Sequence, residues 1–158
     1  MPRFSNTSKN RLGLAHQDLR ILFDYVIKTF DCKVLYGFRT PEEQFELYKK
    51  GRKEVNGKWI IQDSKKVVTY KDGTIKKSKH NYLPSLAVDV APYYSEEPHI
   101  RWDDTDTLHY FAGLVMGLAV LLKETGIIES TIVWGGDWNR DFILHDQAFM
   151  DYVHFQIA

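Results

Sequence analysis

The sequence predicts an α+β fold, a single domain with a small antiparallel sheet packed by about three helices. Amphipathic stretches and short apolar runs carry that reading. Leu19, Leu22, Phe23, Val26, Ile27 and Phe30 recur at helical spacing, as do Leu108, Phe111, Ala112, Val115, Leu118, Ala119 and Leu122. The runs Lys33–Phe38, Leu86–Ala91, Thr131–Trp134 and Tyr152–Ile157 are too short for helices and suit strands. No linker or internal repeat divides the chain, so residues 1–158 are expected to share one core.

A chain of 158 residues buries roughly 70% of its unfolded surface. The hydrophobic fraction of 44% and aromatic fraction of 14% fit a filled core. With 21 basic and 21 acidic residues the formal charge is zero, which argues against a dedicated nucleic-acid binder. Cys32 is the only cysteine, so no intrachain disulfide forms and no oxidising compartment is required. The first residues hold no apolar run of signal-peptide length, and no segment is expected to approach a membrane span. Synthesis in the cytoplasm without a signal peptide, and no membrane insertion, are the expectations.

In chain order, residues 1–12 are polar and expected to form a loose arm. The first helix spans about His16 to Phe30, Asp31-Cys32 ends it, and a strand follows. Thr40 is a good N-cap, Pro41 suits the first helical position, and Glu43 stands where a capping-box acid belongs. A second helix should therefore run to about Lys50 and stop at Gly51. Arg39 is the last residue before it; by composition alone it is a solvated arginine and Gln44 an ordinary surface residue.

Residues 51–79 carry two hairpin-type turns, Asn56-Gly57 and Asp72-Gly73, beside the apolar pieces Trp59–Ile61 and Val67–Tyr70. Lys65, Lys66, Lys71, Lys76, Lys77 and Lys79 make this segment basic, which reads as a solvated face before a polymer-binding one. A loop over Tyr93–Asp106 takes Trp102 as its anchor, and a long helix ends at Gly126. Gly113 and Gly117 in that helix would allow a neighbouring backbone to approach closely. Gly135-Gly136-Asp137-Trp138 is a turn, followed by a mobile stretch to about Met150.

Chemistry concentrates in Ser78–Pro92. As a strand, Leu86, Val88 and Val90 face one way and Ala87, Asp89 and Ala91 the other, so Asp89 has open space between two alanines. His80 can fold back toward it across a Pro84-Ser85 turn. The pair starts a zinc or general-base site, although a buried Asp beside a His is more often a structural hydrogen bond. Asp151 and His154 are the other candidates. Three apart, they would face opposite ways in a flat strand, so a shared site requires a turn at Asp151 with the strand beginning after it. His154 and Gln156 would then face the site, with Val153 and Phe155 toward the core. His80, Asp89 and His154 would hold a metal with one position open, the catalytic zinc arrangement.

These residues resemble the zinc peptidases that cleave cell-wall peptides, the D-alanyl-D-alanine carboxypeptidase and dipeptidase group. Within it the chain resembles the L-alanyl-D-glutamate endopeptidases used as phage endolysins. Ser78-Lys79-His80 and Ala87-Val88-Asp89 fit the ends of the pattern S-x-H-x-x-G-x-A-x-D, with two extra residues and Pro84-Ser85-Leu86 in place of the glycine. Asp151 and His154 fit the later carboxylate and histidine, and Trp134-Gly135-Gly136-Asp137-Trp138 resembles the segment between. Gly37-Phe38-Arg39-Thr40 with Gln44 is similar to the family's G-x-R-[ST] segment, whose arginine faces the substrate.

The resemblance implies one Zn2+ on the sheet held by His80, Asp89 and His154, with Asp151 as general base. It implies Arg39 at the developing oxyanion or a substrate carboxylate, with Gln44 as a supporting substrate contact. The implied substrate is a peptidoglycan stem peptide and the implied outcome host-cell lysis, with release through a holin-type pore and a monomeric enzyme. A D,D-carboxypeptidase or D-Ala-D-Ala dipeptidase, a non-catalytic zinc-bearing wall-binding or phage structural module, and a nucleic-acid-binding hairpin are the alternatives. His16, His99, His109 and His145 read as surface or structural, His145 lying in the stretch nearest the site.

Overall fold

A computed structural model describes residues 1–158 as one α+β domain. Its elements are α1 (Asn6–Gly13), α2 (Gln17–Thr29), β1 (Cys32–Tyr36), α3 (Pro41–Tyr48), β2 (Arg52–Val55), β3 (Lys58–Ile61), β4 (Ala87–Pro92), α4 (Thr105–Glu124), β5 (Ile132–Trp134) and β6 (His154–Ile157). The main sheet has the order β1-β4-β6-β5, every pair antiparallel, and β2–β3 form a separate hairpin.

The helical stripes pack α2 and α4 on one face of this sheet. Leu19, Leu22, Phe23 and Val26 of α2 meet Phe111, Ala112, Val115 and Ala119 of α4 over Val34, Val88, Val90 and Phe155. Phe23 and Phe155 pack edge to face with centroids 5.4 Å apart. Each large side chain buried here contributes about 1.5–3 kcal/mol, so this face is where the fold is anchored. Asp89 and His154, paired across β4 and β6, lie on the opposite face.

Four helices form where about three were expected, because the loose arm is not loose. Ser5 caps α1 by accepting the Ser8 N–H, and Phe4, Ser8 and Leu12 are buried. The Ser8 hydroxyl accepts the Val34 N–H at 3.2 Å, and Arg11 donates to the Val34 carbonyl at 3.0 Å. Polar composition concealed this: much of the anchoring is hydrogen bonding to β1, which periodicity does not report.

Thr40, Pro41 and Glu43 behave as read, with both capping-box bonds formed at α3. Asn56-Gly57 makes the β2–β3 turn. Asp72-Gly73 makes no hairpin: the Asp72 carboxylate accepts the N–H groups of Thr74 and Lys76, an Asx turn that competes with strand pairing, and Val67–Tyr70 forms no strand. Trp102 anchors nothing; it is 62% exposed. Gly113 and Gly117 face solvent, with open space where a side chain would stand.

By length and apolar composition α4 could cross a membrane, contrary to the expectation that no segment approaches that. Here one of its faces is built into the core.

Candidate metal centre

Sheet register assembles the polar face. Asp89 of β4 lies directly opposite His154 of β6, and Tyr36 of β1 is opposite Asp89 on the other side. Paired residues of antiparallel strands share a face, so carboxylate and imidazole are brought together by the ladder itself. The chain turns at Asp151, whose carbonyl accepts the His154 N–H, and becomes a strand only at His154.

His80 comes from a single 3₁₀ turn, Lys79–Asn81, capped by Ser78. Asn81 donates to the Arg39 carbonyl at 2.9 Å, and Arg39 N–H to the His80 carbonyl at 2.9 Å, so this turn and the Arg39 segment hold each other. The Leu86 N–H closes the Pro84-Ser85 loop on the Lys79 carbonyl at 3.0 Å, which absorbs the two extra residues.

Three donor atoms then converge: His80 Nε2, Asp89 Oδ1 and His154 Nδ1, all within 4.8 Å of one another. Both imidazole nitrogens lie close to Asp89 Oδ1, at 3.2 Å for His80 and 3.0 Å for His154. The outer nitrogens decide the tautomers. His80 Nδ1 donates to the Gly37 carbonyl at 2.7 Å and His154 Nε2 to Gln156 Oε1 at 3.0 Å. In the neutral rings the inner nitrogens are therefore lone pairs, aimed at each other 3.3 Å apart and at a carboxylate. Acceptors facing acceptors in a buried spot need a proton or a metal ion between them, and two imidazoles with one carboxylate suit a zinc-type ion.

With a proton rather than a metal ion among the donors, the cluster favours charge on both partners. Burial pushes the Asp89 carboxyl up, but hydrogen bonding with His154 and His80 outweighs it and holds Asp89 well below the usual range. Burial lowers His154, and the Asp89 carboxylate more than reverses that, raising it.

Asp151 stands outside the three donors. Burial raises its carboxyl above the ordinary value, the Asp89 charge adds to this, and the charges of His154 and His80 oppose it. A carboxylate raised toward neutrality beside a cation site has the properties of a general base. Gly135 makes its seat: Asp151 N–H donates to the Gly135 carbonyl at 2.8 Å, and a Cβ on Gly135 would collide with the Asp151 carbonyl. Trp138 packs against His154 at 5.3 Å between centroids, walling the site.

Arg39 Nη2 approaches Asp89 Oδ2 at 3.9 Å, and Nη1 donates to Gln44 Oε1 at 2.9 Å. Gln44, expected as a substrate contact, is 1% exposed and stands behind Arg39. Its amide nitrogen donates to Thr69 Oγ1 and the Lys71 carbonyl, tying the 67–73 segment to the arginine. Gln156 was legible only as a site-facing neighbour two residues from His154. Tyr36 gave no signal, because its orientation depends on a register shift in β1.

The other histidines lie apart from the cluster. His16 caps α2, His99 bonds the Tyr94 carbonyl, and His109 bonds the Thr105 carbonyl. His145 packs on His109, not on the donors.

A family model described as phage L-alanyl-D-glutamate peptidase matches residues 55–158. The chain is similar to the peptidoglycan L-alanyl-D-glutamate endopeptidase CwlK of Bacillus subtilis (strain 168), with 32% identity over 131 residues. That match covers 82% of this chain and 62% of the relative, so this chain spans under two thirds of the relative's length. In fold it is similar to the crystal structure of Serratia marcescens L-Ala D-Glu endopeptidase ChiX, with TM-score 0.62 and 21% identity over 99% of this chain and 90% of that one.

Proposed function

The chain belongs to the phage L-alanyl-D-glutamate peptidase family, and on that footing we propose that it is a zinc-dependent endopeptidase of peptidoglycan stem peptides, cutting the L-alanyl-D-glutamate bond. The observation that carries this is the convergence of His80 Nε2, Asp89 Oδ1 and His154 Nδ1, with both outer imidazole protons already committed. These three residues would hold the ion. When bound, it supplies a Lewis acid that polarises the scissile carbonyl and makes attack by water accessible near neutral pH.

The remaining work falls to the chain's own side chains. Asp151 takes the proton of the attacking water and delivers it to the leaving amine. Arg39, fixed by Gln44, holds a planar positive charge beside the donors and stabilises the oxyanion or orients a substrate carboxylate. Trp138 excludes water from the His154 side.

The enzyme acts on the wall as a monomer after release through a holin-type pore, without inserting in the membrane or binding nucleic acid. Mass spectrometry of purified peptidoglycan after digestion tests the function directly. New L-alanine C-termini and D-glutamyl N-termini are expected; release of D-alanine alone would instead indicate a carboxypeptidase or dipeptidase.

A further inference from the structure

A bulge places Tyr36 beside the metal centre. β1 pairs with β4 as Val34↔Val90 and then Tyr36↔Asp89, so two residues of β1 stand against one of β4. In a regular strand Tyr36 would follow Val34 onto the core face, opposite Val88. The extra residue turns Tyr36 to the Asp89 face, while Leu35 packs against the cluster of Ala91, Leu108 and Val153. The result is a tyrosine 56% exposed, in one cross-strand row with Asp89 and His154.

Two guanidinium groups share this ring. Arg39 Cζ lies 5.2 Å from its centroid and Arg11 Cζ 5.8 Å. Arg11 reaches it from α1, anchored on the Val34 carbonyl, and forms no ion pair of its own. A Cβ on Gly37 would stand 2.6 Å from the Arg11 carbonyl, so glycine is what lets α1 approach this closely. Bulge, glycine and helix together hold two cations at one exposed ring, with Asp89 the sole acid that pairs with either.

We propose that Tyr36, Arg11 and Arg39 form a carboxylate-binding subsite beside the metal centre. It takes the free carboxylate of the acidic residue adjoining the scissile bond. This rests on the peptidase reading above. The ring gives the peptide a flat apolar floor, and the flanking guanidiniums supply charge-assisted donors that a carboxamide cannot exploit equally.

The test uses zinc-loaded Asp151→Asn protein, which binds without turning over. Calorimetry compares two synthetic L-alanyl-D-glutamyl peptides, one with the free carboxylate of the D-glutamyl residue and one with that group as carboxamide. The carboxylate should bind about tenfold tighter. Adding Arg11→Gln or Tyr36→Ala should bring the ratio below about threefold. Lys9→Gln, which removes an exposed charge of α1 that does not reach the ring, should preserve the ratio. Equal binding of both peptides by the parent, or a ratio that survives both Arg11→Gln and Tyr36→Ala, overturns the subsite alone. Binding of neither peptide overturns the peptidase reading with it.

Discussion

His154 donates its Nε2 proton to Gln156 Oε1, 3.0 Å away and two residues further along the same strand face. This bond leaves Nδ1 as the lone pair that meets Asp89 and His80. Gln156→Ala should free the ring and cost roughly 10–100-fold in zinc affinity. Competition against a chromophoric chelator measures this; unchanged affinity would mean the ring is oriented by something else.

The purified protein should carry about one zinc per chain, since one three-donor cluster is present. Chelation should abolish activity, and zinc should restore it. His80→Ala, Asp89→Ala and His154→Ala should each fail to retain metal by elemental analysis. Full occupancy in all three would rule out the ligand set.

Asp151→Asn separates catalysis from metal binding. It is nearly isosteric but cannot accept the proton, so turnover should fall by roughly 10²–10⁴-fold. That is about 3–5 kcal/mol of barrier. Zinc content and Tm should stay as in the parent. If the asparagine variant loses the zinc instead, Asp151 is a ligand.

Gln44→Ala removes the acceptor from Arg39 and leaves the Lys71 carbonyl without its donor. Stability should fall by about 1–3 kcal/mol. Activity should also fall, with metal content intact, because Arg39 is no longer held. A variant that is destabilised yet catalytically normal would make Gln44 a purely structural residue.

Asp18 offers a pH signature away from the metal. Its carboxylate accepts the N–H groups of Glu129 at 3.1 Å and Ser130 at 2.7 Å, clamping α2 to the segment before β5. Burial pushes its carboxyl up, but the hydrogen bonds from Ser130 and Glu129 outweigh it, so it titrates below the ordinary range. The unfolded chain then binds the proton more readily. The stabilisation is fully present above about pH 3.9 and is lost as pH falls toward the folded value. Asp18→Asn should lower stability at pH 7 by about 1 kcal/mol, or about 3 °C in Tm. Its difference from the parent should shrink in acid; a difference independent of pH would show that charge is not the clamp.

Where the fold was legible, a side chain declared its own environment. The stripe Leu19, Leu22, Phe23 and Val26 marks a helix facing a core, and alternation around Asp89 sets which face of β4 is polar. The requirement for a turn at Asp151 followed from spacing alone and is met. What stayed hidden depends on partners distant in sequence. Ser8 and Arg11 read as polar arm residues because their bonds run to Val34. Gln44 read as surface, and then as a substrate contact, because nothing local announces Arg39 and Lys71 as its partners. Tyr36 was invisible because a bulge shifts alternation by one residue without leaving a mark in composition.

β1 is an outer strand of the sheet, and at Val34 its outward N–H and C=O are both taken by α1. An unprotected outer strand is a template on which another molecule can add a strand of its own. α1 therefore covers this part of the edge, where another copy of the protein could otherwise add a strand. A version trimmed to begin at residue 14 should retain the metal donors yet precipitate in a concentration-dependent way.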